Sequence, residues 1–127
     1  TVLDTRIVAH DARYGLTELA VNGSDTVRLR VPRASGEAGD ACRILVRERD
    51  VAIATSPPLD ISVLNVLAAR VATLRDLGDS VEVGATLLGD KAGTVLRARI
   101  TRFSADQLHL APGREVYLLI KSVALTR

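Results

Sequence analysis

Hydrogen-bond donors suited to binding an anion are concentrated in two short segments of the 127-residue chain. The segment SVLN, Ser62 to Asn65, supplies a hydroxyl and an amide, and IKSVAL, Ile120 to Leu125, supplies an ammonium and a second hydroxyl. Neither segment contains a carboxylate. A small oxyanion needs this chemistry, because each of its oxygens accepts hydrogen bonds and a neighbouring acid would repel it. The candidate oxyanion site is therefore Ser62, Asn65, Lys121 and Ser122, provided that the first and last strands of a small barrel bring the two segments together.

A simpler interpretation of these residues remains open, in which Ser62 caps a turn and Lys121 extends into water. Spacing alone favours that interpretation. The chain has no phosphate-binding loop and no nucleophile elbow, so no catalytic residue is predicted. His10 and His109 lie far apart without other ligands at metal-binding spacing, so no metal site is predicted. Cys42, the only cysteine, is predicted to be a small buried thiol.

A tandem duplication organises the elements that must position the donors. The two halves share arginines, glycines and apolar runs in register, which predicts two repeats of roughly 60 residues. The matched segments are Arg28–Arg33 with Arg97–Arg102, Ala38–Ala54 with Ala111–Thr126, and Thr1–Ala9 with Asn65–Thr73.

The stretch Ile61–Val71 has apolar residues at helical spacing but is also rich in β-branched side chains, so periodicity alone does not decide its structure. The first repeat has the pattern of β-strands, since RLRVPR alternates and TRIVA and TELAV are short, β-branched and separated by turn residues, which favours a strand in both copies. The sequence therefore predicts an all-β chain of two tandem small OB-like barrels, residues 1–58 and 59–127, joined at Ser56–Asp60. One short helix is expected in the second barrel, with Ser104 and Gln107 as a capping box and an end after Leu110.

Composition excludes several classes of protein. Hydrophobic residues make up 47% and charged residues 25%, which is typical of a folded domain, and no apolar run is long enough to span a membrane. The net charge of +2 and an aromatic content of 2% make an OB-type nucleic-acid binder a minor alternative. The chain has no methionine, which predicts that Thr1 is an excised boundary within a longer protein.

The second half resembles the Mop, or molybdopterin-binding-protein-like, members of the TOBE domain group. The resemblance covers residues 61–125, with an S-x-x-N opening at Ser62 and the ending ITRFSADQLHLAPGREVYLLIKS. It implies an OB-like barrel that binds molybdate or tungstate. It also implies that the oxyanion contacts come from Ser62, Asn65, Lys121 and Ser122, often from different subunits.

The first half, through DARYGLTELAV, VPR and VRERDVAIA, resembles the neighbouring segment in ATP-binding subunits of molybdate ABC importers. This implies a regulatory accessory domain, not itself an enzyme, of an ABC-type ATPase that is cytoplasmic and peripheral to the inner face of the plasma membrane. The implied partners are a second copy of the chain, the nucleotide-binding domain and the membrane transporter subunits, with no nucleic acid, no membrane insertion and no cofactor. A purely structural dimerisation module without a ligand is the main alternative.

Overall fold

Residues 1–126, which the computed structural model describes, form ten strands, one α-helix and a 3₁₀ turn at Glu48–Asp50. None of the helical segments in this range is long and apolar enough to cross a membrane. The strands are β1 (Val2–Asp11), β2 (Leu16–Val21), β3 (Arg28–Pro32), β4 (Ala41–Leu45), β5 (Val51–Ala54), β6 (Asn65–Asp76), β7 (Ser80–Leu87), β8 (Val95–Thr101), β9 (Glu115–Ile120) and β10 (Ala124–Thr126), and the helix α1 spans Arg102–Gln107.

The ambiguous stretch forms a strand from Asn65 onward, as predicted, and Ile61–Leu64 precede the strand. From Asn65 onward β6 alternates, with Leu67, Ala69 and Val71 buried and the residues between them more exposed. Strands on both sides, β7 and β9, pair with β6, so the backbone groups that a helix would have bonded internally are satisfied by neighbours. The helical spacing in this window is therefore a consequence of a nearly continuous apolar run.

The strands form two five-stranded antiparallel sheets. The first sheet has the order β10-β4-β1-β2-β3, and the second has the order β5-β9-β6-β7-β8. The first four strands of each repeat therefore have the same arrangement. The all-β architecture, with one short helix in the second half, is confirmed.

The duplication is visible in the backbone as well as in the residues. β1 and β6 each have a register shift, immediately after Ile7 and immediately after Val71. At each of these positions a glycine N–H donates to the strand carbonyl, Gly39 to Ile7 (2.8 Å) and Gly113 to Val71 (2.7 Å). Both glycines have positive φ, 94° and 91°, a conformation that other residues adopt only with strain. The repeated glycine therefore stabilises the same irregularity in both copies.

The fifth strand of each repeat is exchanged between the sheets. β5 lies within residues 1–58 but pairs with β9 in the second sheet, and β10 lies within residues 59–127 but pairs with β4 in the first sheet. Residue 127, the end of the second predicted unit, lies outside the described residues. The predicted boundary at residue 58 thus separates the repeats in sequence, while each sheet is completed by a strand from the other repeat.

Buried aliphatic side chains from both sheets form one continuous core. Leu3 and Ile44 contribute from the first sheet, and Leu118 and Ile120 from the second, each at most 2% exposed. Cys42 is half-buried and packs against this core, as a small apolar residue would. The two repeats therefore share the hydrophobic surface that each of them has to bury.

The helix begins three residues earlier than predicted. Thr101, not Ser104, is the N-cap: its hydroxyl oxygen accepts from the Ser104 N–H at 3.1 Å, and its backbone is extended. The capping box predicted from Ser104 and Gln107 is therefore wrong. Both residues lie within the helix, which ends at Gln107, and a positive φ of 52° at His109 prevents its continuation to Leu110. Strand β8 runs directly into the helix, so Thr101 is already in the extended conformation that a cap requires.

A polar contact between turns also joins the two halves. The Asn22 amide in the β2–β3 turn donates to the Thr94 hydroxyl and, at 3.5 Å, to the Asp90 carboxylate in the β7–β8 loop. Burial alone would raise the pKa of Asp90, but hydrogen bonds from Thr94, Ala92 and Asn22 outweigh it and hold the pKa below its usual value. This carboxylate therefore stays ionised and organises the loop.

Candidate oxyanion site

The two donor-bearing segments meet at one end of the second sheet. Asn65, the first residue of β6, pairs with Ile120, the last residue of β9. Lys121 and Ser122 follow β9 directly, and Ser62 precedes β6 by three residues. The pairing brings the end of the first segment beside the start of the second, and the convergence of all four donors on one anion stays a prediction.

The four side chains do not all converge on one point. Asn65 is 8% exposed and lies in the same inward-facing row as Ile120. Lys121, Ser122 and Ser62 are exposed. Successive side chains along a strand point to opposite faces, so Lys121 projects away from the core, on the other side of the sheet from the Asn65 amide. The structure thus leaves the two hydroxyls and the ammonium exposed, whereas the Asn65 amide is buried and engaged elsewhere.

The Asn65 amide bridges the two sheets. Its Oδ1 accepts from the Arg30 N–H at 2.7 Å, and its Nδ2 donates to the Arg30 carbonyl at 2.9 Å. Arg30 lies in β3, the edge strand of the first sheet. The Asn65 side chain therefore takes the place of a neighbouring strand, because it pairs with both the N–H and the carbonyl of Arg30. Sequence reasoning assigned Asn65 to the ligand and missed this contact, because Arg30 is 35 residues away.

The exchanged strand brings an acid to the site. The Lys121 N–H donates to the Asp50 carbonyl at 3.0 Å, immediately beyond the pair formed by Val51 and Ile120. When the repeats are aligned, Asp50 of the first repeat matches Ser122 of the second. The alignment therefore predicts that Asp50 lies in the first barrel, away from the end of the second sheet where Asn65 pairs with Ile120. No local signal indicates otherwise, because only the pairing of β5 with β9 carries Asp50 to this position.

The turn that carries Asp50 is held by an ion pair. Glu48, two residues earlier, contacts the Arg99 guanidinium of β8, and both side chains are about one-quarter exposed. Arg99 belongs to RARITR, whose arginines the alternating pattern predicts to be solvated. Arg97 and Arg102 follow that prediction, since both are exposed; Arg97 pairs with the half-buried Glu82 and Arg102 with the exposed Asp76. Arg99 departs from it because the exchanged segment packs over β8.

Other surface features offer less for binding an anion. A groove of about 920 Å³ on the first sheet is lined by Asp4, Arg6 and Arg43, but Asp4 and Arg43 pair at 3.0 Å and Arg6 donates to the Gly39 carbonyl. Within the described range 1–126, no three His, Cys, Asp or Glu side chains are grouped as a metal site would require. The end of the second sheet thus remains the place where exposed donors are concentrated.

Comparison with known proteins identifies the family. Residues 61–126 match the TOBE domain. The chain is 46% identical over 129 aligned residues to the molybdenum import ATP-binding protein ModC of Aromatoleum aromaticum, and 38% identical over 127 to that of Mesorhizobium japonicum. Each alignment covers 99% of this chain and 32% of the relative, so the chain spans about a third of the length of these relatives.

A solved structure has the same fold. The cytoplasmic molybdate-binding protein ModG, in a form with molybdate bound, superposes with a TM-score of 0.77 over 99% of this chain and 96% of that one. The sequences are 22% identical, so this similarity concerns the fold. The match over residues 61–126, more than half of the chain, shows that the chain belongs to the TOBE domain family, and the two five-stranded sheets agree with it.

Proposed function

We propose that this chain is the accessory domain of the ATP-binding subunit of a molybdenum import transporter, and that it binds molybdate or tungstate. The relatives that match nearly the whole chain carry that name, which supports the first part. The observation that carries the second part is the adjacency of the two donor segments, through the pairing of Asn65 with Ile120. Lys121, Ser122 and Ser62 supply one positive charge and two hydroxyls to a tetrahedral dianion.

A second copy of the chain completes this site. On a single chain the donors are exposed, and hydrogen bonds to an anion contribute little while water competes for them. Three apolar side chains beside Ser62 are also uncovered: Leu59 is 81% exposed, Ile61 44% and Leu64 57%. Burial of these side chains between two copies would remove apolar area from water and would desolvate the donors at the same time.

Within such a transporter the chain has a regulatory role. ATP hydrolysis belongs to the nucleotide-binding domain of the parent subunit, at the cytoplasmic face of the membrane. Oxyanion binding by this chain regulates the activity of that domain. An anion can shift the ATPase only if it binds one conformation of the subunit more tightly than the other. The membrane subunits and the nucleotide-binding domain are accordingly the expected partners.

Lys121→Ala should weaken molybdate binding by about 2 kcal/mol, roughly thirtyfold, because it removes the charge-assisted hydrogen bond. Ser122→Ala should cost about 1 kcal/mol, since only a neutral bond is lost. Isothermal titration calorimetry with molybdate, tungstate and sulfate measures both effects. The matched control is Lys91→Ala, which removes the chain's other lysine, on the β7–β8 loop, and should leave affinity unchanged.

Equal losses for Lys91→Ala and Lys121→Ala would mean that the anion is attracted diffusely and has no site. Absence of any anion binding would favour the ligand-free dimerisation module. A specific observation supports that second function, since the Asn65 amide is engaged by Arg30 while apolar side chains nearby lie exposed. A nucleic-acid binder would instead show affinity for single strands that falls steeply with salt.

Self-association should depend on the apolar residues beside Ser62. We expect the double variant Ile61→Ser, Leu64→Ser to dissociate at least tenfold more readily than the unmodified chain, because each side chain contributes about 1.5 kcal/mol or more when buried. Sedimentation velocity over a range of micromolar concentrations measures this. Leu77→Ser is the control, since Leu77 is exposed at the β6–β7 turn. A chain that stays monomeric at high micromolar concentration would contradict the proposed interface.

A further inference from the structure

We infer that the Asp50 carboxylate competes with the oxyanion for the Lys121 ammonium, so that Asp50 limits the affinity of the proposed site. The inference rests on the proposed function and adds a residue from the first repeat to a site in the second. Its basis is the exchange of β5, which brings the residue before that strand beside the residue after β9.

The strand register places Asp50 next to Lys121. Val51, Ile120 and Asn65 form one row across β5, β9 and β6, and all three are buried. The hydrogen bond from the Lys121 N–H to the Asp50 carbonyl extends the β5–β9 pairing by one residue. Paired side chains in antiparallel strands project from the same face, with Cβ atoms about 5 Å apart. Asp50 is the last residue of the 3₁₀ turn and Lys121 follows β9, so the two are backbone neighbours just beyond the strand pairing, within reach of each other through the flexible lysine side chain.

The other charged groups around Lys121 and Asp50 determine which partners these two side chains can reach. Leu64, which immediately precedes β6, is exposed and uncharged. Glu48, the other acid of the 3₁₀ turn, is already paired with Arg99. Among residues 1–126, neither Lys121 nor Asp50 has an ion-pair partner in contact with it. Lys121 is exposed and Asp50 half-exposed, so the ammonium can reach either the carboxylate or an anion in front of the sheet.

The consequence for binding follows from charge. A carboxylate at neutral pH only accepts hydrogen bonds, so it offers nothing to a deprotonated oxyanion and repels it. It also offers the ammonium an alternative partner, which the anion must displace. For exposed charges a few ångströms apart, such effects correspond to a change of about three- to tenfold in the dissociation constant. The effect should shrink as salt screens the charges.

Asp50→Asn tests this inference, because it removes the charge and keeps the shape and the backbone carbonyl. We expect molybdate to bind about three- to tenfold more tightly to Asp50→Asn than to the unmodified chain in calorimetric titrations at low salt. In a Lys121→Ala background the same substitution should gain much less, because the contested ammonium is gone. Asp25→Asn is the matched control: it neutralises an exposed acid in the β2–β3 turn, where the structure describes no side-chain partner for it, and it should change nothing.

The outcomes separate this inference from the proposed function. Binding by the unmodified chain with no gain from Asp50→Asn would overturn the inference alone. An equal gain in the presence and absence of Lys121, or from Asp25→Asn, would also overturn it, because the effect would then be general charge repulsion. Failure of every variant to bind molybdate would overturn both. Binding by Asp50→Asn where the unmodified chain binds too weakly to measure would support the inference strongly.

Discussion

Residues 48–123 should retain more cooperative structure as a separate fragment than residues 59–127. The first fragment contains β5 to β9, and therefore every strand of the second sheet in one continuous piece. The second fragment follows the repeat boundary of the sequence and lacks β5. Without β5, the neighbouring strand β9 becomes an exposed edge along Tyr117–Ile120.

The expected loss is comparable to the whole stability of such a fragment. Removing β5 deletes its hydrogen bonds to β9, each contributing about 1 kcal/mol, and the burial of Val51, which contributes about 1.5 kcal/mol or more. A domain of this size has a free energy of unfolding of roughly 4–10 kcal/mol. A loss of about 5 kcal/mol equals the whole stability at the lower end of this range, so the shorter barrel should be marginally stable at most.

Circular dichroism and urea denaturation of the two fragments provide the measurement. Mixing residues 1–58 with residues 59–127 is the complementary experiment, because each piece carries the strand that the other lacks. The mixture should regain a cooperative transition that neither piece has alone. A cooperative transition in residues 59–127 as strong as in residues 48–123 would contradict the importance of the exchange.

Asn65→Ala should lower the free energy of unfolding by about 2–4 kcal/mol. The substitution leaves the N–H and the carbonyl of Arg30 without their partners at the junction of the sheets, and an unpaired buried backbone group costs about 1–3 kcal/mol. The contact is partly buried, so water compensates for some of this loss. Asn65→Asp should have an intermediate effect, because a carboxylate still accepts from the Arg30 N–H but cannot donate to its carbonyl.

Urea denaturation without any anion measures this bridging role by itself. Ser62→Ala is the control: Ser62 is exposed, and its loss should change stability by no more than about 0.5 kcal/mol. If Asn65→Ala left stability unchanged and abolished molybdate binding, the amide would be a ligand and the bridge to Arg30 incidental. Loss of stability together with retained binding by the folded variant would assign Asn65 to the scaffold.

Much of this molecule is determined by local features of the sequence. The alternation around Leu67, Ala69 and Val71 is sufficient to predict a strand once its repeat partner is recognised, because side-chain period sets which face is buried. The glycines at 39 and 113 mark the same irregularity in each repeat, since only glycine adopts their positive φ without strain. The meeting of Asn65 and Ile120 also follows from sequence, because the ends of a small barrel meet.

Only the tertiary structure decided which strand completes which sheet. Two repeats with similar fifth strands can close on themselves or exchange, and both arrangements satisfy the same local patterns. The exchange then determines what surrounds Lys121. It brings Asp50 beside Lys121, whereas two self-closed barrels would have kept Asp50 in the first barrel. Asn65 pairs with Ile120, and Lys121 is the next residue along the chain. Its side chain therefore points to the face opposite the Asn65 amide. These outcomes depend on contacts between residues far apart in the chain, and such contacts are set by how the two sheets share one core.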